Sequence, residues 1–449
     1  MNELKLLEHA DTMARAYTSQ INSRRAFPDS NAIEALIGFD EPLSDNGHPE
    51  IETLELLDQL GSPATVASNG PNYYGFVFGA SLPVAAGAER VSLAWDQCAS
   101  AAITSPAADA IERKAGQWVL EILDLPRESA VAFGTSATAC GLSCFAAARA
   151  ELLARKGWDY LQDGLVGAPE IKVVVPETAH ISIRKALQIL GFGWARVLKA
   201  PVDSSGRVIP AQLPKLDEST ILVLQAGEVN TGSFDPFDDI LHQAKTAGAW
   251  VHIDGAFGIW ARAAPELRYL TKVVELADSW TTDGHKWLNT PYDGAMAICK
   301  NAEALARVMN SDAAYSQASA SAQKNLTLEF SRRARGIPIW AALRSLGRNG
   351  VAQMVNRHHQ QAKRVAEALD IAGFEVLNDV VLNQVLVRGT NDEATKRILA
   401  RAQESGIAWF GPSVWQERPA FRISVSSFRT EDIHIDRLIK LLTDIGPKG

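Results

Sequence analysis

Between residues 130 and about 300 the chain alternates short β-branched runs with segments of helical spacing. The runs fall at 131–133, 171–175, 194–198, 221–224, 250–253 and 295–299, and helix-like stretches cover 138–156, 180–190 and 236–248. Runs this short and this continuously apolar suit strands buried on both faces, and the alternation with helices makes their pairing mostly parallel. Such a sheet also dictates where chemistry can sit, because ligands bind beyond the carboxyl ends of its strands. The chemically interesting groups of this chain fall at those ends.

The most demanding of them is Lys286, in A-D-S-W-T-T-D-G-H-K-W-L-N over 277–289, between His285 and Trp287. A buried ammonium is costly unless it is paired or neutralised. One solution is covalent: the amine condenses with an aldehyde as a Schiff base, and pyridoxal phosphate is the commonest such aldehyde. The other is a lysine that snorkels past Trp287 to solvent.

Three further stretches bear on that choice. Residues 131–133 run into Gly134, Thr135, Ser136 and Ala137 and then into a helix, which offers a glycine turn, hydroxyls and exposed amides to a phosphate; an ordinary N-cap would use the same residues. The run W-V-H-I-D-G-A-F-G places Asp254 at the end of a buried strand, with the small Gly255 and Ala256 after it. A carboxylate there can keep a pyridine nitrogen protonated, so that the ring accepts electrons, or it can cap the following turn. His180, in P-E-T-A-H-I-S, follows another strand and can lie over a flat ring or bond the start of a helix.

Size and charge bound the rest. With 449 residues the chain exceeds one ordinary core. The expected division is a helical arm over 1–65, a large α/β domain over 66–325 and a small α+β domain over 326–449, and the arm is expected to pack on another subunit. A net charge of −8 argues against general affinity for nucleic acid or anionic membrane. No run of 18 apolar residues predicts a membrane span, and the first residues lack the apolar core of a signal peptide. Four cysteines make no disulfide framework, and Cys140 and Cys144 read as core residues, not metal ligands. The expected setting is reducing and cytoplasmic, with no metal. A helix is expected over 338–370, with a break near Gly347 and Gly350.

Taken together, H-I-D-G-A-F-G and D-G-H-K-W-L-N, 32 residues apart from Asp254 to Lys286, resemble the pyridoxal-phosphate-dependent group II amino acid decarboxylases, the family of aromatic amino acid and glutamate decarboxylases. The resemblance runs from about Asn72 to the C-terminus. It implies a fold-type-I transferase-like architecture with a mostly parallel seven-stranded sheet, helices on both faces, and a homodimer with the active site at the interface. It implies Lys286 as the Schiff-base lysine, Asp254 as partner of the pyridine nitrogen and His180 stacked on the ring. Thr135, Ser136 and Ala137 would meet the phosphate, Asn230 and Ala256 would lie by the cofactor, and His285 would contact phosphate or substrate. Tyr73, Tyr74 and Phe78 would wall the substrate pocket, and Arg422 would be the family's C-terminal arginine.

Two places depart from the family pattern. Asp283 stands where many members carry a neutral amide near the phosphate, and it is expected to turn away or to bond backbone amides. The loop tyrosine that helps protonate the α-carbon would fall near Gln323, and the tyrosine close by is Tyr315. Decarboxylation of an L-amino acid is the first expectation. Aldolase-type cleavage of a β-hydroxy amino acid comes second, ahead of aminotransfer or a silent cofactor-binding dimer.

Overall fold

The structure is a computed structural model that describes residues 2–311, 318–319 and 321–449. Seven strands form the larger sheet: β1 (Ala130–Gly134), β2 (Lys172–Pro176), β3 (Leu198–Ala200), β4 (Thr220–Gln225), β5 (Trp250–Asp254), β6 (Ser279–Asp283) and β7 (Ala295–Cys299), in the order β1-β7-β6-β5-β4-β2-β3. Strands β3, β2, β4, β5 and β6 pair in parallel. Strand β7 runs against both β6 and β1, so β1 points the same way as the parallel five. The mostly parallel seven-stranded sheet expected from the sequence is therefore present.

Every residue of β4, β5, β6 and β7 is buried, which requires cover on both faces. On one face the helix Ala137–Arg155 packs Cys144, Phe145 and Leu152 against Val173, Val175, Val223 and Trp250. Among the described residues this helix alone has the length and hydropathy of a membrane span, but 67% of that window is buried inside the protein, as befits the central helix of a sheet. Cys140, Cys144 and Cys299 are buried free thiols of this core.

Strand β1 ends the sheet, and side chains cover its open edge in place of an eighth strand. Gln323 accepts the Phe133 N–H at 3.0 Å and donates its amide to the Val131 carbonyl at 2.9 Å. Arg332 reaches both oxygens of Glu112, at 2.7 and 2.8 Å, and also donates to the carbonyls of Ala99 and Phe133. Glu112 Oε1 further accepts the Gly336 N–H at 2.8 Å. Arg332 and Glu112 are essentially excluded from solvent. The sequence count puts the loop's proton-donor position near Gln323; the side chain there is instead buried with both ends of its amide committed to β1. Tyr315 lies outside the described residues.

Two compact units emerge, neither drawn from one continuous segment in full. The larger comprises 81–363 and 378–385; the smaller comprises 1–80, 364–377 and 386–449. The smaller carries a four-stranded sheet, order β10-β11-β9-β8, of β8 (Glu375–Val376), β9 (Gln384–Arg388), β10 (Gly411–Trp415) and β11 (Arg418–Ser424), with helices Asp392–Ser405 and Asp432–Ile445. Its N-terminal helix Glu3–Gln20 buries no side chain. The long helix Gly336–Ile371 breaks at Gly347, whose φ of 60° and ψ of −177° suit glycine alone.

Candidate active site

The strand ends of the larger unit gather the candidate groups because the register is tight. Gln225 pairs with Asp254, and Asp254 with Thr281. Past the strands the pairing continues: the Ala226 N–H donates to the Asp254 carbonyl, and the Asp283 N–H to the Ala256 carbonyl, both at 2.9 Å. A Cβ on Gly258 would run into the Ala226 carbonyl, so the second glycine of H-I-D-G-A-F-G lets the turn after β5 close onto the end of β4.

Asp254 ends β5 with 8% of its surface exposed, and its Oδ1 accepts the Ala256 N–H at 3.1 Å. That bond is the turn cap foreseen as the simpler role, and it fixes the carboxylate at the sheet edge. Two residues earlier on the same face, His252 is buried, bonded to Ser279 Oγ at 2.9 Å, and pushed down to about 3 by burial. It is a neutral core histidine.

Asp283 ends β6 and is 2% exposed. Its Oδ1 accepts the Ala137 N–H at 2.7 Å, in the first turn of the helix Ala137–Arg155. Its Oδ2 lies 3.1 Å from Lys286 Nζ and 3.7 Å from His285 Nε2. Of the two outcomes foreseen for this carboxylate, bonding a backbone amide is the one observed. Lys286 itself is about one-fifth exposed at its side chain. Its backbone is anchored by neighbours: Trp287 Nε1 donates to His358 Nδ1 at 2.8 Å, and Asn289 Nδ2 to the Trp287 carbonyl at 2.7 Å. His285 stacks on Tyr292 with ring centroids 4.3 Å apart, and its Nδ1 faces the Gly294 N–H. Burial holds its pKa below the ordinary imidazole range, with Lys286 reinforcing that shift and Asp283 opposing it.

Ser136 caps the helix Ala137–Arg155, its hydroxyl accepting the Ala139 N–H at 3.3 Å, while Thr135 stands just outside the helix. His180 caps the helix Ile181–Ile189: its Nδ1 accepts the Ser182 N–H at 3.3 Å, with Ser182 Oγ at 2.7 Å. Asn230 donates its side-chain amide to Glu228 Oε1 at 3.2 Å and its backbone N–H to Oε2 at 2.7 Å. Glu228, 1% exposed, also takes the Thr231 N–H. Nothing local in the sequence marks Tyr292, whereas an acid inside the G-E-V-N-T-G turn is a signal for Glu228.

The predicted substrate residues belong to the smaller unit and form a cluster there. Tyr73 stacks on Trp409 at 4.8 Å with the rings 4° from parallel, and Phe78 stacks on Tyr73 at 5.8 Å. Tyr74 is turned into that unit's core, 1% exposed, with its hydroxyl aimed at the His434 carbonyl at 3.4 Å. Arg422 sits on β11 opposite Gly411.

The chemistry of the larger unit's groups fits pyridoxal phosphate. Lys286 offers an amine to an aldehyde, and Asp254 a buried carboxylate to a pyridinium. The first turn of a 19-residue helix offers N–H groups to a phosphate, and the N–H of Ala137 is already engaged by an anionic side chain.

Comparison with known proteins points the same way. The model of the pyridoxal-dependent decarboxylase conserved domain matches residues 63–388. Tryptophan decarboxylase 2 of Oryza sativa subsp. japonica is 26% identical over 486 residues, covering 100% of this chain and 96% of the relative. A phenylacetaldehyde synthase of a Rosa hybrid cultivar is also 26% identical, over 74% of this chain and 72% of its own. In fold, the Oryza sativa TDC crystallised with PLP and tryptamine superposes with a TM-score of 0.88 at 22% identity, over 98% of this chain and 97% of that one.

Proposed function

The chain belongs to the pyridoxal-dependent decarboxylase family, and on that premise we propose that it removes the carboxylate of an aromatic L-amino acid, releasing carbon dioxide and an amine. Its cofactor is pyridoxal phosphate. The observation that carries the site assignment is the sheet register: Asp254 ends β5 and Lys286 follows β6, and these strands are neighbours, so a carboxylate and an amine flank one edge. The aromatic substrate class is supported by the relatives' names, a tryptophan decarboxylase and a phenylacetaldehyde synthase.

In this reading Lys286 would hold the cofactor through its aldehyde, Asp254 would face the ring nitrogen, and the turn from Thr135 to Ala137 would receive the phosphate. When bound, pyridoxal phosphate supplies the electron sink for the carbon that loses its carboxylate. Asp254 contributes a fixed negative charge in a poorly solvated place, where it acts at greater strength than in water. His180, fixed at the start of the helix after β2 by its Nδ1 bonds, would lie beside the cofactor ring, and Ala256 leaves room at the sheet edge for a flat ring. Asn230, tied to Glu228, is a rigid neighbour, and His285 is held uncharged by burial. Asp254→Asn keeps the shape and the Ala256 bond but drops the charge. It is expected to lower kcat by about 10²-fold or more while cofactor content, read by absorbance, stays near stoichiometric.

Purified protein loaded with pyridoxal phosphate and offered a panel of amino acids tests the reaction. Amine and carbon dioxide in equal amounts, greatest with aromatic substrates, are the expected products. Aldehyde in place of amine would instead match the activity named for the rose relative, and aldehyde plus glycine from β-hydroxy substrates without carbon dioxide would overturn decarboxylation.

We propose further that the chain acts as a homodimer with the active site at the interface. Val84, Val91, Leu93 and Trp95 on the helix Pro83–Trp95 expose 41–74% of their surface, and Leu4, Leu7, Ile37 and Leu43 are exposed along the N-terminal arm. Apolar side chains exposed in such number favour a partner. A monomer of 48.6 kDa in sedimentation of the loaded protein would refute this. A reducing cytoplasmic setting is proposed on the four unpaired cysteines.

A further inference from the structure

One carboxylate in the site serves a backbone N–H and an ammonium at once. Asp283 gives its Oδ1 to the Ala137 N–H and its Oδ2 to Lys286 Nζ, at 2.7 and 3.1 Å, from a position almost wholly removed from water. The start of the helix Ala137–Arg155 is where free N–H groups and the aligned peptide dipoles favour an anion, and a side chain of the chain itself already stands there. From this we propose that Asp283 is a resident occupant of the phosphate seat. In the cofactor-free protein it takes the place of the phosphate at Ala137 and neutralises Lys286, and the cofactor loads by exchange against it. The proposal rests on the reading above, with the phosphate at this helix and the aldehyde carbon at Lys286.

The exchange follows from charge and geometry. A phosphate arriving at Ala137 meets a buried carboxylate of like sign, so Asp283 must yield that N–H. Lys286 must leave Oδ2 and give up a proton before its amine could condense with the aldehyde, the C=N bond forming as the carbonyl oxygen departs as water. Ser136 does not displace Asp283 from the Ala137 N–H, because its oxygen faces the Ala139 N–H and its own O–H can only donate. His285, 3.7 Å from the same Oδ2, is the neighbour toward which the displaced carboxylate can turn. Both displacements oppose loading, so affinity is weaker and loading slower than the bare helix terminus would give. A neutral side chain at 283 removes the opposition.

Two neutral variants test this, Asp283→Asn and Asp283→Ser, each retaining an acceptor for the Ala137 N–H. Spectral titration of the apoprotein with pyridoxal phosphate gives the dissociation constant and the loading rate. A thermal-shift series with inorganic phosphate probes the seat without Lys286 chemistry. Both variants are expected to bind pyridoxal phosphate about fivefold tighter or more, to load faster, and to respond to inorganic phosphate at correspondingly lower concentration. Should one variant fail to fold, the other carries the test. Unchanged or weaker binding by the folded variants, with the wild type still loading at Lys286, overturns the proposal. A wild type that acquires no visible band with pyridoxal phosphate overturns the underlying assignment instead.

Discussion

Lys286→Ala is expected to abolish the visible absorption of the loaded protein and to lower turnover by roughly 10³-fold or more, the scale on which loss of a covalent catalytic group is felt. The variant has a second effect that the structure makes specific. Asp283, 3% exposed at its side chain, loses the ammonium 3.1 Å away and keeps the Ala137 N–H. A buried carboxylate stripped of one partner is destabilising by about 1–3 kcal/mol, so Lys286→Ala is expected to unfold at lower urea than the wild type. Adding Asp283→Asn to Lys286→Ala should recover most of that stability and none of the turnover. Activity surviving in Lys286→Ala at a tenth of the wild-type rate would remove the lysine from the chemistry.

The second large effect concerns stability, far in sequence from the lysine. Arg332→Met strips Glu112 of its cation in a place where the pair is at most 1% exposed, and leaves it the Gly336 N–H. Breaking a buried pair from one side costs about 3–5 kcal/mol. It also frees the Phe133 carbonyl at the end of β1, one residue before the Gly134 turn. The expected result is a large fall in the urea midpoint together with weaker retention of the cofactor. The double variant Arg332→Met with Glu112→Gln should regain a substantial part of the midpoint, since the amide keeps an acceptor for Gly336. Equal midpoints for the single and double variants would show that the ion pair is not what holds this edge.

The parts of the molecule that were legible in the sequence share a physical reason. Strands β1, β2, β4, β5 and β7 are buried on both faces, so their runs are apolar throughout and stand out within a residue or so of their observed limits. Asp254, His180 and the Gly134 turn come at or soon after the ends of such runs, and their location at strand ends comes with the strands; Lys286 follows β6, S-W-T-T-D, whose run is mostly polar. Edge elements were harder. The run at 194–198 resembles a strand, but the Arg196 N–H bonds the Gly193 carbonyl and closes a turn, leaving β3 to begin at Leu198. Strand β10 does not stand out in the sequence, because Gly411 and Pro412 signal a turn; it is an edge strand, where proline is tolerated.

Partners distant in sequence were not legible at all. The helix Pro106–Ile122 reads as amphipathic through its apolar residues, yet Glu112 is also buried on it, and its arginine comes 220 residues later. Gln323 binds β1 across 190 residues, and no local pattern announces a glutamine that substitutes for a strand. Asp283 was recognisable as out of place among its relatives, but the amide it takes lies 146 residues upstream.

The smaller unit has a consequence for the order in which this chain can be completed during synthesis. Its N-terminal portion leans on its C-terminal portion: the Ala26 N–H donates to the Gly406 carbonyl, the Tyr74 N–H to Trp409, and Arg25 to the Glu404 carbonyl 379 residues away. At translation speeds of about 5–20 residues per second, those first residues wait from roughly twenty seconds to over a minute for their partners. Most of the larger unit, residues 81–363, emerges and can fold in the interval, while residues 1–80 hold apolar surface such as Ile21, Tyr73 and Tyr74 without its eventual cover. The vulnerable species on the ribosome is thus a chain with a finished sheet and an unfinished beginning, and a nonsense codon late in the gene would strand it in that condition.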